Sequence, residues 1–214
     1  FVIDVKGGST YRKELFEQYK AHRPETPEPL LKQIEYVSEL VESFGIKLLK
    51  QTGYEADDII ATLVKRFKEQ KELYGFSEIN IVTSDKDLLQ LVDEDVSVWR
   101  VERGVTDIKK YTAKEVFEKY EVTPEQIRDY LSLVGDTSDN VPGVPGIGEK
   151  TAAKILKEFG TVDNALKNVD KLPPKVKDAL LNNAEQLELS KKLIELDTKV
   201  PMDVDLKTRT EEHT

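Results

Sequence analysis

The first half of the chain alternates between short apolar runs and longer stretches whose apolar residues recur at helical spacing. Apolar runs at residues 1–3, 46–49 and 79–82 predict buried strands. Residues 30–44 and 55–69 carry apolar side chains at the spacing of amphipathic helices. Strands that alternate with helices in this way predict an α/β fold with a mostly parallel central sheet flanked by helices.

The pattern changes at about residue 111, where strands give way to helices. Before that point, residues 96–99 and 105–108 predict a hairpin. After it, capping-box spacings begin at Thr112 and Thr123, and apolar residues recur at helical intervals. The sequence therefore predicts a sheet-containing part followed by a helical lobe.

A basic segment precedes the first amphipathic helix. Residues 11–21 predict a helix, and prolines break the chain after it because proline removes a backbone donor. Arg12, Lys20 and Arg23 can share a face beside Tyr19, which suits phosphate contact and base stacking. A solvated basic helix without a ligand is the alternative interpretation.

Acidic residues follow each of the three predicted strands of the first half. In an open α/β sheet the ligand site lies outside the carboxyl ends of the strands, so these acids are expected at one edge. A fourth acidic group lies in a loop after a predicted helix. The four groups are Asp4; Glu55, Asp57 and Asp58; Asp85 and Asp87; and Asp136 and Asp139.

Each acidic group alone has an ordinary structural explanation, because acids complement a helix N-terminus and Asp85 could cap a helix. Together they would crowd like charges, which is unfavourable unless cations neutralise them. All-oxygen ligands select Mg²⁺ or Mn²⁺ over zinc. Two such ions roughly 3.5–4 Å apart would activate a water and stabilise the attacking and leaving oxygens of a phosphodiester.

A glycine- and proline-rich turn lies between two predicted helices. Gly146 and Gly148 allow close backbone approach, and their N–H groups with the next helix N-terminus can hold a phosphate. Lys150 and Thr151 begin that next helix. An ordinary turn is the alternative, but Pro-Gly-Ile-Gly-Glu-Lys-Thr-Ala favours a helix-hairpin-helix that holds duplex DNA without reading its sequence.

Composition narrows the class of protein further. The 214 residues are 38% hydrophobic and 34% charged, which is enough apolar material for a core. No apolar run reaches membrane-spanning length and no signal peptide is visible, so we expect a cytoplasmic protein without membrane contact. The absence of cysteine excludes disulfides and thiol nucleophiles. The net charge of −9 opposes phosphate binding in general, but the eight acids named above account for nearly all of it.

The motifs resemble those of one family, the 5′-nuclease domain of bacterial DNA polymerase I, which is related to flap endonucleases. They occur in the family's order with similar intervals, and the resemblance covers almost the whole chain. The matching stretches are residues 19–23 (YKAHR), 53–58 (GYEADD), 83–87 (TSDKD) and 135–152 (GDTSDNVPGVPGIGEKTA).

The resemblance implies a PIN-like 5′-nuclease fold and a role for each group of residues. The nuclease core would cover residues 1–110, including a helical arch at about 10–30, and a DNA-binding lobe would cover 111–214, with the helix-hairpin-helix at about 124–160. Lys20 and Arg23, on the arch, would steer the scissile phosphate. The hairpin would also hold K⁺ through backbone carbonyls. One divalent metal would be surrounded by Asp4, Glu55, Asp57 and Asp58, and the other by Asp85, Asp87, Asp136 and Asp139.

Two departures from the family pattern bear on activity. The family begins with a further strand that ends in an Asp-Gly pair and supplies one more metal-site aspartate, and it ends in further helices. Neither segment is visible here, so the sequence is expected to be a fragment of a longer protein.

The function that we expect is a structure-selective DNA 5′-nuclease of replication and repair. Its substrates would be 5′ flaps and nicked or branched duplexes, and a polymerase domain would be attached in the full-length protein. A truncated, weakly active or inactive DNA-binding module is the first alternative. A PIN-type ribonuclease is the second, and the hairpin and the double set of acids argue against it.

Overall fold

The structure is a computed structural model that describes residues 1–5, 10–104 and 107–204. It contains two compact units. The first unit comprises Phe1–Gly75 with Leu196–Thr214, and the second comprises Phe76–Glu195. Among the described residues, none of the helices combines the length and the apolar character needed to cross a bilayer.

The first unit is mainly helical in its described part. Its helices are α1 (Tyr11–Leu15), α2 (Glu28–Ser43), α3 (Ala56–Glu69) and α4 (Lys71–Tyr74). The strands expected at residues 1–3 and 46–49 are reduced to one parallel bridge between Val2 and Leu49. Leu49 donates its N–H to the Phe1 carbonyl at 2.8 Å, and Ile3 donates to the Leu49 carbonyl at 3.0 Å.

The helix expected over residues 11–21 is shorter than the sequence indicated. It ends at Leu15, and the C-cap residue Phe16 is extended. The chain continues in turns, with Lys20 in the left-handed region at φ 56°. These turns bury the Tyr19 side chain, which is 2% exposed, and so burial of this ring accompanies the loss of the second half of the expected helix.

Helix α3 supplies most of the described apolar core of the first unit, to which Tyr19 and Val200 also belong. Ile59, Ala61 and Val64 are buried on it. Its buried face also carries Asp58 and Thr62, which an apolar periodicity does not predict. By contrast, the apolar stripe of α2 remains 41–54% exposed at Leu30, Ile34, Val37 and Leu40.

The second unit contains a mixed three-stranded sheet. Its strands are β1 (Ile79–Thr83), β2 (Val96–Arg103) and β3 (Asp107–Tyr111), in the spatial order β1-β2-β3. Strands β1 and β2 are parallel, whereas β2 and β3 form the expected antiparallel hairpin, whose residues 105–106 lie outside the described residues. On β2, Val96 and Val98 are buried, and Ser97 between them is buried as well. The described sheet is therefore mixed rather than mostly parallel.

Helices follow the sheet in the second unit, as the change of pattern near residue 111 predicted. They are α5 (Ala113–Tyr120), α6 (Ile127–Val134), α7 (Glu149–Phe159), α8 (Val162–Lys167), α9 (Pro174–Asn182) and α10 (Ala184–Ile194). Both expected capping boxes form: Glu115 accepts from the Thr112 N–H at 3.0 Å, and Gln126 accepts from the Thr123 N–H at 3.0 Å. Helix α6 packs against both α7 and α10 and lies at the centre of this lobe.

Candidate functional site

Three carboxylates of the second unit meet in one cluster. Asp87 begins a 3₁₀ helix (Asp87–Leu91) two residues after Asp85, in the loop that leaves β1. Asp136 and Asp139 come from the loop after α6. Within that loop Asp136 and Val141 form an antiparallel bridge, which folds the chain back on itself. One carboxylate oxygen from each of Asp87, Asp136 and Asp139 lies within 4.8 Å of the other two.

The cluster has the properties of a cation site. Asp136 and Asp139 are 3% and 5% exposed, and Asp87 is 9% exposed. The Asp87 Oδ1 atom is buried without a hydrogen-bond partner among the described residues. Burial, followed by the charges of Asp85, Asp136 and Asp139, raises the pKa of Asp87 well above its ordinary value. A divalent cation would satisfy the unpartnered oxygen and neutralise the repulsion, so these residues fit a hard metal ion.

Lys86 neutralises part of this cluster. Its Nζ donates to Asp136 Oδ1 at 2.8 Å, and the Ser138 N–H and Oγ donate to the same oxygen at 2.9 and 2.7 Å. Burial acts to raise the pKa of Asp136, but these hydrogen bonds outweigh it and lower the pKa below its ordinary value. Sequence reasoning assigned Lys86 no role, although it lies inside the motif TSDKD, because a lysine between two acids gives no sign of which one it contacts.

Asp85 lies beside the cluster and accepts a hydrogen bond from the backbone. Its Oδ1 accepts the Asp87 N–H at 2.9 Å and so helps to start the 3₁₀ helix. Its charge contributes to the raised pKa of Asp87. The structure thus brings together three of the four acids expected around this metal, and the fourth, Asp85, lies two residues before Asp87 in the chain. Their role as ligands stays a prediction.

In the first unit, Asp4 and Glu55 meet at the start of α3. Asp4 Oδ1 accepts the Ala56 N–H at 2.7 Å. Glu55 is the N-cap residue of α3, and its Oε2 accepts a hydrogen bond from the Tyr19 hydroxyl at 3.0 Å. Lys20 Nζ lies 3.0 Å from Glu55 Oε1. Both oxygens of the glutamate therefore have cationic or polar neighbours. Asp57 is half-buried in the first turn of α3.

Asp58 differs from its acidic neighbours because it is wholly buried and ion-paired. Arg12 donates to its two oxygens at 2.7 Å each, and side-chain exposure is 2% for Arg12 and 0% for Asp58. Arg12 is therefore turned inward in this structure, whereas the sequence indicated a phosphate contact. Tyr19 is buried in the same way, although it was expected to stack on bases. Of the two residues expected to steer the phosphate from the arch, Arg23 is exposed and Lys20 forms an ion pair with Glu55.

The predicted hairpin lies between α6 and α7. Val141, Val144 and Ile147 are buried and anchor it. Gly146 has φ of +85°, and Gly148 is the N-cap residue of α7. A Cβ atom added at either glycine would meet none of the described residues beyond its chain neighbours within 4 Å, so the backbone here is open to a ligand.

The far side of the hairpin is held by α10. Gln186 donates to the Gly143 carbonyl, and the Ser190 hydroxyl donates to the Pro142 carbonyl. Lys150 is exposed in the first turn of α7, and Thr151 follows it. The hairpin therefore offers an open helix N-terminus with a lysine beside it, which suits an anion.

Two family models cover the chain from end to end. The 5′-3′ exonuclease N-terminal resolvase-like domain matches residues 1–121, and the 5′-3′ exonuclease C-terminal SAM fold matches residues 122–213. The chain therefore has the two-part organisation of a 5′-3′ exonuclease, with a sheet-containing first part and a helical second part.

The chain belongs to the 5′-3′ exonuclease family. DNA polymerase I of Bacillus caldotenax is 44% identical over 201 residues, which are 94% of this chain and 22% of that protein. Thermostable DNA polymerase I of Thermus thermophilus is 45% identical over 206 residues, 96% of this chain and 23% of that protein. The chain thus spans less than a quarter of the length of these relatives, and the resemblance read from the motifs is confirmed.

Solved structures show the same fold with metal bound. T5 5′-exonuclease with bound zinc is 26% identical and superposes with a TM-score of 0.74 over 92% of this chain and 73% of that one. A T5 flap endonuclease variant in a pseudo-enzyme–product complex with DNA and metal ions is also 26% identical, with a TM-score of 0.73, over 92% of this chain and 72% of that one.

Proposed function

We propose that this chain is a structure-selective DNA 5′-nuclease that hydrolyses phosphodiesters at 5′ flaps and at nicked or branched duplexes. The single observation that carries the proposal is the cluster of Asp87, Asp136 and Asp139, in which a buried carboxylate oxygen has no hydrogen-bond partner within the described part of the chain. Such a cluster suits a hard divalent ion, and we assign Mg²⁺ or Mn²⁺ to it. T5 flap endonuclease bound to DNA and metal supports the choice of substrate.

The proposed reaction needs two divalent ions, which would lower the pKa of a bound water and stabilise charge on the phosphate oxygens. Asp87, Asp136 and Asp139 would hold one of them, with Asp85 beside them. Asp4, Glu55, Asp57 and Asp58 are the first-unit residues predicted around the other. Burial of the second-unit cluster strengthens its electrostatic interactions, because they are screened less than charges in water.

Cationic side chains would position the DNA strand. Lys20, held on Glu55 at 3.0 Å, and the exposed Arg23 are the candidates for steering the scissile phosphate. The N-terminus of α7, with Gly146, Gly148, Lys150 and Thr151, would hold a phosphate of the duplex. We also assign to this hairpin a K⁺ ion held by backbone carbonyls.

The whole protein would resemble its relatives in organisation. We propose a nuclease core over residues 1–110 and a helical DNA-binding lobe over residues 111–214. The DNA polymerase I relatives support the further proposals of an attached polymerase domain, a role in DNA replication and repair, and a place in the bacterial cytoplasm.

A second candidate function is a DNA-binding module that does not cut. The observation that favours it is the open backbone at Gly146 and Gly148, which can hold a phosphate whether or not a metal binds elsewhere.

A cleavage assay separates the two functions. A labelled 5′-flap duplex is incubated with excess protein in Mg²⁺ or in chelator, and the variant Asp136→Asn is compared with Asp163→Asn. The control also removes an aspartate–lysine pair of the second unit, because Asp163 lies 2.5 Å from Lys191, outside the acidic cluster. We expect Mg²⁺-dependent release of the flap, slowed more than about tenfold by Asp136→Asn and unchanged by Asp163→Asn. Flap binding without cleavage in Mg²⁺ would favour the non-cutting module.

A further inference from the structure

Asp58 has a set of partners that leaves little room for a metal ion. Its Oδ2 accepts from Arg12 at 2.7 Å and from the Glu55 N–H at 3.3 Å. Its Oδ1 accepts from Arg12 at 2.7 Å and from the Asp197 N–H at 2.9 Å. A carboxylate offers about four acceptor positions. These four hydrogen bonds therefore use the acceptor capacity of Asp58 within the protein.

The Arg12 partner is suited to a permanent contact. A guanidinium presents two parallel donors that match a carboxylate, and the two groups here bind in that forked manner. Both side chains are almost completely buried. A metal ion at Asp58 would have to displace Arg12 and leave its charge buried without this partner, which is strongly unfavourable.

The hydrogen bond that Asp58 accepts from the Asp197 N–H is one of several made by a polar face of α3. Asp58, Thr62 and Arg66 are spaced by four residues, so they lie on one face of the helix. All three bind the backbone of the segment 197–202. Thr62 donates to the Asp197 carbonyl at 3.2 Å and accepts the Val200 N–H at 3.1 Å. Arg66 donates to the carbonyls of Met202 at 2.9 Å and Val200 at 3.2 Å.

We infer that Asp58 is a positioning residue and not a metal ligand. It joins three parts of the first unit: the α1 residue Arg12, the start of α3 at Glu55, and the segment 197–202. Through Glu55 it sets the place of a predicted metal-binding carboxylate, and through Arg12 it fixes the segment that leads to Lys20. This inference rests on the proposed function, with Asp57 and Glu55 remaining as metal-binding candidates of the first unit.

Hydrogen exchange in the unaltered protein tests the assignment without a substitution. The Asp197 amide reports on Asp58 Oδ1, to which it donates. At an Mg²⁺ concentration that saturates cleavage, the inference predicts unchanged or stronger protection of this amide. Faster exchange at Asp197 on adding Mg²⁺ would show that the ion takes Asp58 from its protein partners, and the inference would be overturned.

Neighbouring substitutions supply a second test. Asp57→Asn and Asp58→Asn each neutralise one carboxylate in the first turn of α3. We expect Asp57→Asn to raise the Mg²⁺ concentration for half-maximal cleavage about tenfold. Asp58→Asn should leave that concentration within about twofold, lower the maximal rate, and abolish protection of the Asp197 amide. A tenfold rise in the Mg²⁺ requirement of Asp58→Asn, with the Asp197 amide still protected from exchange, would contradict the inference.

Failure of this inference can be distinguished from failure of the proposed function. If the unaltered protein shows no Mg²⁺-dependent cleavage, the nuclease proposal fails. The positioning role is then decided by Asp197 protection in Asp58→Asn, which does not require catalysis. If Asp58→Asn does not fold, Arg12→Lys replaces it, because lysine keeps the charge and loses the fork. That variant should likewise weaken Asp197 protection and leave the Mg²⁺ requirement unchanged, and a rise in the requirement would contradict the inference.

Discussion

A side chain at Gly143 would collide with the backbone at the end of α6. A Cβ atom added there would lie 2.2 Å from the Val134 carbonyl oxygen and 2.4 Å from its carbon. Backbone atoms cannot rotate away as a flexible side chain can, so we expect Gly143→Ala to lower the free energy of unfolding by about 1–3 kcal/mol or more. Gly148→Ala is the matched control, because its Cβ meets nothing within 4 Å. Urea unfolding of both variants measures this, and equal losses would contradict the close packing.

Single residues also show how far the sequence could predict the candidate site. Asp87, Asp136 and Asp139 were expected together because strand ends and the loop after a helix converge, and the structure brings them within 4.8 Å. The sequence could not show that Arg12 pairs with Asp58, because 46 residues separate them and no spacing rule links a short helix to the start of another. An acid that binds a metal and an acid that binds an arginine look alike in a sequence.

The N-terminus of α7 carries the prediction for duplex binding. Gly148→Val should weaken binding of duplex DNA at least about tenfold, the equivalent of one hydrogen bond to a charged group, whatever the base sequence. The reason is that a branched side chain would keep a phosphate away from the first-turn N–H groups, while its Cβ atom would meet none of the described residues within 4 Å. Binding should also weaken as salt rises, because phosphate contacts release counterions. An equal loss of affinity for single-stranded DNA of the same sequence would argue against a duplex clamp.

Strand β2, strand β3 and helix α5 are tied by one polar network. Lys119 Nζ donates to Glu102 at 2.7 Å and to the Tyr111 hydroxyl at 2.6 Å, and that hydroxyl donates to Glu102. The hydrogen bond from Lys119, followed by that from Tyr111, lowers the pKa of Glu102 to about 2. Since the folded pKa lies below the unfolded one, the network stabilises the fold above about pH 4.5 and is lost as the pH falls towards 2.

Glu102→Gln should therefore destabilise the protein more at pH 6 than at pH 3.5. The difference should stay below about 1 kcal/mol, because the Glu102 side chain is 31% exposed and solvent screens the pair. Glu118→Gln is the control, since Glu118 forms an exposed pair with Lys114 at 3.7 Å on α5, the helix that also carries Lys119. Denaturant midpoints of the three proteins at both pH values measure this. A Glu102→Gln loss that does not depend on pH would refute the assignment.

Whole elements could be predicted where the residues that determine them lie close together in the sequence. The helices α2 and α3 and both capping boxes follow from periodicity and side-chain chemistry close in sequence. The expected strand at residues 46–49 became a single bridge to Val2, and the helix over residues 11–21 stopped at Leu15. In both cases distant contacts decide the outcome: pairing with another strand in the first, and burial of Tyr19 against Glu55 in the second.

For the molecule as a whole, we infer that its excess of negative charge serves to bind divalent cations. The net charge is −9. In each unit a lysine forms an ion pair with one of the expected metal-site acids: Lys20 with Glu55, and Lys86 with Asp136. A lysine supplies only one positive charge, and Asp87 keeps a raised pKa with Lys86 close by. Divalent ions would neutralise the acids more fully, and their binding would stabilise the folded state.

Equilibrium binding of Mn²⁺, followed by electron paramagnetic resonance of the free ion, tests this claim most directly. The unaltered chain is compared with Asp136→Asn and with the control Asp163→Asn. We expect two bound ions for the unaltered chain and for the control, and loss of one of them in Asp136→Asn. The same number of ions bound with the same affinity by all three proteins would contradict it.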